Sequence, residues 1–199
     1  MRIEPVTLEG RHVRLEPLSR GHLGPLGAVL DPTLLQWFTQ PVTNAVELAT
    51  FVEDALRLQD AGAALPFATI ARETGRAIGS TRFGNIDRAN RRLEIGWTWI
   101  ARPWQRSAIN TEVKLLMLTH AFETLGAIRV EFKTDSLNTQ SRAALARLGA
   151  VEEGIHRNHM ITASGRIRHS VWFSIIDSEW PAVKQRLEAR LARGLVTTA

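Results

Sequence analysis

The tightest constraint on the fold of this chain is the order in which its apolar periodicity changes. Between Pro66 and Ile100 the residues fall into strand-like segments, Pro66 to Arg72, Ala77 to Ile86 and Arg92 to Ile100, the first two joined by the turn Glu73-Thr74-Gly75. From Asn110 the period becomes helical: Val113, Met117, Leu118, Ala121, Phe122 and Leu125 share a stripe, and Gly126 stops it. Alternation returns over Ile128 to Thr134, and a helix over Asn138 to Leu148 ends at Gly149. A hairpin follows, Val151 to Ile161 and Arg166 to Ile176 around Thr162-Ala163-Ser164-Gly165. The last helix, about 178–193, opens with Ser178 and Pro181, both suited to a helix start. Ahead of this run stand a short strand at His12 to Glu16 and two helical segments, Ser19 to Leu30 and Asn44 to Gln59. The second carries Val46, Leu48, Phe51, Val52 and Leu56 on one face, with Gly62 closing it. With no long linker and no repeat, residues 1–199 read as a single α+β domain.

Composition excludes several functional classes. The 199 residues suffice for one buried core, and 44% apolar with 23% charged residues is globular rather than disordered composition. No apolar run approaches the roughly 20 residues that cross a bilayer, and the N-terminus lacks a signal-peptide layout, so a cytoplasmic protein is expected. There is no cysteine, hence no disulfide, no thiolate metal site and no cysteinyl enzyme. His156 and His159, three apart in a predicted strand, should face opposite ways, which argues against a shared metal. The net charge of +5 comes from scattered basic residues, a mild positive field that suits a phosphate-rich cofactor better than a dedicated nucleic-acid face.

Chemistry concentrates at the junction after the Arg92 to Ile100 strand. Leu93, Ile95, Trp97 and Trp99 alternate with Glu94, Gly96 and Thr98, so Glu94 should point away from the aromatic set. The loop Gln105 to Thr111, with Asn110 as the expected cap, feeds a helix whose unpaired N–H groups can cradle a pyrophosphate. Almost every strand-to-helix turn offers such donors, so a purely structural turn is the alternative. If Asn138 caps its helix, Ser141 falls in the first turn on the face of Leu145 and Leu148, pointing inward. Capping alone also explains that motif. Trp37 and Phe38, with Trp97 and Trp99, read as core aromatics first.

These segments together resemble the GNAT acetyltransferases, in particular their RimJ/RimL-like branch. Gln105-Arg106-Ser107-Ala108-Ile109-Asn110 is similar to the family's acetyl-CoA loop, although Ala108 and Asn110 replace small or glycine positions. Thr111-Glu112-Val113, Ala121-Phe122-Glu123-Thr124-Leu125-Gly126, Asn138-Thr139-Gln140-Ser141, Leu148-Gly149-Ala150, Glu153-Gly154 and Ser178-Glu179-Trp180 extend the likeness from Gly10 to Arg193. The resemblance implies a central mixed, mostly antiparallel sheet flanked by helices, with acetyl-CoA entering between the strands Arg92 to Ile100 and Ile128 to Thr134. It implies cofactor contacts from Trp97, Thr98, Trp99, Ile100, Gln105, Arg106, Ser107, Ala108, Ile109, Asn110, Thr111, Asn138 and Ser141, and no metal.

Many GNAT enzymes use a tyrosine to assist the departing thiol, and this chain has none. Ser141 is the substitute the resemblance implies. Amide formation also needs a base, because amines are protonated at neutral pH; Glu94 fits the family's strand glutamate, the alternative being a surface carboxylate paired with Arg91 or Arg92. The implied reaction is direct acetyl transfer in a ternary complex, to a small-molecule amine or an N-terminal α-amine such as that of a ribosomal protein. A homodimer is the expected assembly, and neither membrane nor nucleic acid is an expected partner. The rival reading is a nucleic-acid or ribosome-binding module that reuses the fold without catalysis.

Overall fold

In the computed structural model, which describes residues 1–194, eight strands pair in the order β1-β2-β3-β4-β5-β6-β8-β7. They are β1 (Leu8–Glu9), β2 (Val13–Pro17), β3 (Leu65–Ala71), β4 (Arg76–Asp87), β5 (Arg92–Ile100), β6 (Arg129–Asp135), β7 (Val151–Ile161) and β8 (Ile167–Ile176). All neighbours are antiparallel except β5 and β6. The helices are α1 (Leu23–Gly27), α2 (Ala45–Asp60), α3 (Ala108–Thr119), α4 (Thr139–Leu148) and α5 (Trp180–Gly194). The end of the expected domain, 195–199, lies outside the described residues.

Two apolar layers cover the two faces of the sheet. On one, Ile109, Val113, Met117 and Leu118 of α3, Leu145 and Leu148 of α4, and Val183 and Leu187 of α5 pack on Phe67, Phe83, Leu93, Ile95 and Phe132. On the other, Leu26 of α1 and Leu48, Val52 and Ala55 of α2 pack on Ala68, Ile70, Ala77 and Trp99. The mixed sheet flanked by helices is the architecture the resemblance implied.

Local signals explain most helix ends. Asn44 accepts from the N–H groups of Val46 and Glu47 at 3.0 Å each, and Gly149 takes a left-handed φ of 95° to end α4. Several expectations need correction. The helix expected over Ser19 to Leu30 shortens to a 3₁₀ turn at Arg20–His22 and the five residues of α1, because Gly21, Gly24 and Gly27 weaken its helix propensity and Pro25 cannot donate a backbone N–H. Val46 stands 77% exposed in the first turn of α2, outside the apolar face. Ile128 lies before β6 rather than in it, and α5 begins at Trp180, after Ser178. Helix α3 starts at Ala108 with Ser107 as its cap, not Asn110, and passes into a π-turn over His120–Thr124.

Strand β5 also departs from simple alternation. Its register against β4 shifts between the pairs Ser80↔Trp99 and Arg82↔Gly96, and Trp97 adopts φ 51°. That extra residue is a β-bulge. Leu93 and Ile95 therefore face α3 and α5, whereas Trp99 joins the α1–α2 layer. The expected single aromatic face does not exist. A similar slip in β7, between His156↔Ser170 and Met160↔Arg168, turns His156 and His159 to one side, their rings 5.5 Å apart and both against Trp172. They do not face opposite ways as the spacing suggested.

Candidate active site

Strands β5 and β6 pair over Arg92↔Arg129, Leu93↔Val130 and Glu94↔Glu131, and no further. Beyond Glu94 they part, and a cleft of about 380 Å³ opens between them. Its walls include Ile95 to Ile100 of β5, Phe132 and Lys133 of β6, the α3 entry, the first turn of α4, and Leu187 and Arg190 of α5. Of the sequence-derived cofactor residues, Trp97, Thr98, Trp99, Ile100, Gln105, Arg106, Ser107, Asn110, Thr111, Asn138 and Ser141 line it. Ala108 and Ile109 do not: Ala108 faces a separate surface depression beside Pro103 and Trp104, and Ile109 is 6% exposed in the core.

The loop leading into α3 is held by its own side chains and presents its backbone outward. Gln105 Nε2 donates to the carbonyl of Ile100 at 2.8 Å, and Ser107 Oγ donates to that of Trp104 at 2.6 Å while accepting from the N–H of Ile109 at 3.3 Å. Among the described residues, no acceptor meets the N–H groups of Arg106, Ser107, Ala108 and Asn110. Arg106 carries the loop's left-handed backbone, φ 59°, so Ala108 sits at an ordinary helical position where a Cβ costs nothing. The cleft is lined by Arg102, Arg106, Lys114, Lys133, Arg147 and Arg190, and by no carboxylate among the described residues. Free N–H groups at a helix start within a cationic cleft are the donors and the charge that binding a polyphosphate ligand requires.

Glu94 lies on the sheet face opposite α3, 2% exposed. Its partners are not Arg91 or Arg92. Asn85 Nδ2 donates to Oε2 at 2.7 Å, and Lys133 Nζ is 3.4 Å from the same oxygen, while Arg92 pairs with Asp87 and Glu131. The carboxylate leans over Gly96, where an added Cβ would fall 2.8 Å from Oε1. Gly96 itself lines the cleft, so Glu94 stands just behind the wall where β5 and β6 separate. Across the gap Asn138 caps α4, its side chain accepting from the N–H of Ser141 at 3.0 Å. Trp37 lines the cleft, whereas Phe38 packs into the α1–α2 layer.

Sequence reasoning missed three groups here. Lys114, 8% exposed, donates from Nζ to Thr98 Oγ1 at 3.0 Å, and burial lowers its pKa to about 7. Arg147 and Arg190 add positive charge from α4 and α5, at positions that read as ordinary helix surface. Glu112, 6% exposed, accepts the N–H groups of Arg11, His12 and Val13 at 2.8, 2.6 and 2.8 Å, and its carboxyl fills the space where Gly10 would carry a Cβ. It anchors the cradle helix to the start of β2. Its spacing from Ile109 and Val113, on the buried stripe of α3, was the available signal. Among the described residues, no group of three or more His, Asp or Glu is placed to hold a metal.

Comparison with known proteins agrees with this geometry. YdaF of Bacillus subtilis (strain 168), which bears the name of a ribosomal N-acetyltransferase, is 34% identical over 110 residues, 55% of this chain and 59% of that relative, so the chain matches under two thirds of its length. A GCN5-related N-acetyltransferase from Brucella melitensis has a TM-score of 0.87 at 34% identity, covering 95% of this chain and 86% of that one. RimJ of Mycobacterium smegmatis, solved in complex with CoA-disulfide, shares the fold with a TM-score of 0.77 at 24% identity, over 94% of this chain and 95% of its own. The family model described as an acetyltransferase (GNAT) domain matches residues 12–151. With its parted parallel strands, open helix start and cationic cleft, the chain belongs to the GNAT acetyltransferase family.

Proposed function

We propose that this chain transfers the acetyl group of acetyl-CoA directly to a primary amine. One observation carries the reading: among the described residues, the gap between β5 and β6 runs from unpaired N–H groups at the α3 entry to the wall backed by Glu94, inside a lining rich in cations and free of carboxylates. The α3 entry grips the diphosphate, and the thioester supplies an activated acetyl group. Glu94, steadied by Asn85 and Lys133, takes the proton from the incoming ammonium, directly or through a water. Backbone N–H groups around the Trp97 bulge face the developing oxyanion. Ser141 reaches the sulfur end from α4.

The acceptor approaches on the Glu94 face, bounded by Trp37 and Trp97. The name of the YdaF relative favours the N-terminal α-amine of a ribosomal protein, with a small-molecule amine as the competing substrate.

Thermal shift with CoA and acetyl-CoA is the first test, because ligand that binds the folded chain must raise its melting temperature. Glu94→Gln then depresses turnover by about 10²-fold or more with acetyl-CoA affinity retained, and Ser141→Ala lowers it less. No melting shift with either ligand refutes the cofactor assignment. An unaltered rate and pH profile in Glu94→Gln refutes the base.

A further inference from the structure

We propose that Lys114 is the acid of this site: its ammonium contacts the sulfur of bound coenzyme A, stabilises the thiolate as it departs and hands it a proton. The inference rests on the acetyltransferase reading above and adds the group that the missing tyrosine leaves unfilled.

The argument begins with position. Lys114 projects from α3 beneath the cleft, its Nζ 3.0 Å from Thr98 Oγ1 on β5 and 5.9 Å from the ring centroid of Phe132 on β6. Thr98 Oγ1 is in turn 2.7 Å from Thr81 Oγ1 on β4. The amine therefore bridges the two walls just past the point where β5 and β6 cease to pair, and a slender arm entering from the α3 start passes over it.

Charge supplies the second step. Among the described residues no carboxylate pairs with Lys114, and the other charged residues lining the cleft are cations: Arg102 and Arg106 before α3, Lys133 on β6, Arg147 on α4 and Arg190 on α5. Glu94, on β5, occupies the other sheet face and is engaged by Asn85 and Lys133. A buried ammonium without a counter-ion is costly, and its proton is correspondingly loosely held, with a pKa of about 7. A ligand that brings negative charge to Nζ relieves that cost.

Chemical matching completes the case. A thiol ionises near pH 8.5, so an ammonium of pKa about 7 can transfer its proton to a thiolate without a large barrier. The Ser141 hydroxyl can donate a hydrogen bond but holds its proton far more tightly, and the chain contains neither tyrosine nor cysteine. As the C–S bond breaks, its electron pair stays on sulfur, and the Lys114 ammonium holds the resulting thiolate. One Nζ–H proton passes to that sulfur as coenzyme A departs, so the products are the amide, the free thiol of coenzyme A and a neutral Lys114 amine, which takes its next proton from solvent.

The test reads the thiol itself. Coenzyme A bound to the full chain is titrated through neutral pH by thiolate ultraviolet absorbance, with free coenzyme A as reference. In the wild type the bound thiol should ionise about 1–3 pH units lower than the free thiol, in Lys114→Met the shift should vanish, and in Lys114→Arg it should persist because the charge remains. Both variants should lose about 10²-fold or more in kcat, since arginine does not release a proton near neutrality. Equal thiol ionisation in wild type and Lys114→Met overturns the proposal, as does a Lys114→Arg enzyme of wild-type kcat, a result that stands even if the methionine variant fails to fold. Failure of the wild type to bind coenzyme A would instead remove the acetyltransferase reading, and this proposal with it.

Discussion

Removal of the Glu112 carboxylate should destabilise the protein far more than its position on a helix suggests. The side chain accepts three backbone N–H groups from one segment, Arg11 through Oε1 and both His12 and Val13 through Oε2. Val13 is fully buried and His12 half-buried, so Glu112→Ala leaves two donors that water reaches poorly, each costing about 1–3 kcal/mol, while the exposed Arg11 can rehydrate. The expected loss is about 3–5 kcal/mol, which for a chain of this size lowers the melting temperature by roughly 6–20 °C. Glu112→Gln can keep its oxygen where Oε2 now sits and should lose only about 1–2 kcal/mol. Urea denaturation at neutral pH, fitted with a common m-value, separates the two. A Glu112→Ala loss under about 1 kcal/mol, or equal losses for both variants, would refute the claim that this carboxylate ties α3 to the β2 strand.

Three other outcomes follow from described geometry. Arg106→Gly should relieve the left-handed backbone and gain about 0.5–1 kcal/mol of stability while weakening CoA binding through the lost charge; a less stable variant in urea contradicts that account of the loop. Gly96→Ala places a Cβ against the Glu94 carboxylate and should cut kcat with acetyl-CoA affinity little changed, so undiminished turnover by calorimetrically normal enzyme argues against Glu94 as base. Lys114 in the folded chain releases its proton near pH 7, whereas the unfolded chain holds it until about pH 10.4, so the unfolded state binds more protons between those limits. Wild-type stability should therefore rise by about 3–4 kcal/mol relative to Lys114→Met from pH 7 to 10, and a constant difference in urea titrations excludes a buried amine of lowered basicity.

Much of the fold was legible because it rests on local rules. The strand-like runs of β3 and β4 bounded by a turn at Glu73-Thr74-Gly75, the Asn44 and Asn138 caps and the Gly149 stop each depend on a few neighbouring residues. The departures arise where distant partners decide. Periodicity assumes no insertion, so the bulge at Trp97, fixed by pairing with β4, was invisible and Trp99 was assigned to the wrong face. Ser107 and Asn110 are both competent caps; Ser107 prevails because the turn at Arg102–Trp104 brings the Trp104 carbonyl within reach of its hydroxyl. Glu94 does point away from Leu93 and Ile95 as expected, but not from Trp99, and its partners Asn85 and Lys133 emerge only from the register of three strands. Lys114 reads as a solvated helix cation until α3 is laid over the gap between β5 and β6.

By reversing the side-chain phase within one strand, the slip at Trp97 lets the same few residues present a carboxylate to one compartment and a hydroxyl, Thr98, to the other. On the proposed reading, donor handling and acceptor choice thereby fall to opposite faces of one strand. Straightening the bulge with the sequence unchanged would return Glu94 and Thr98 to one face of the sheet, so the two-sided arrangement hangs on one inserted residue.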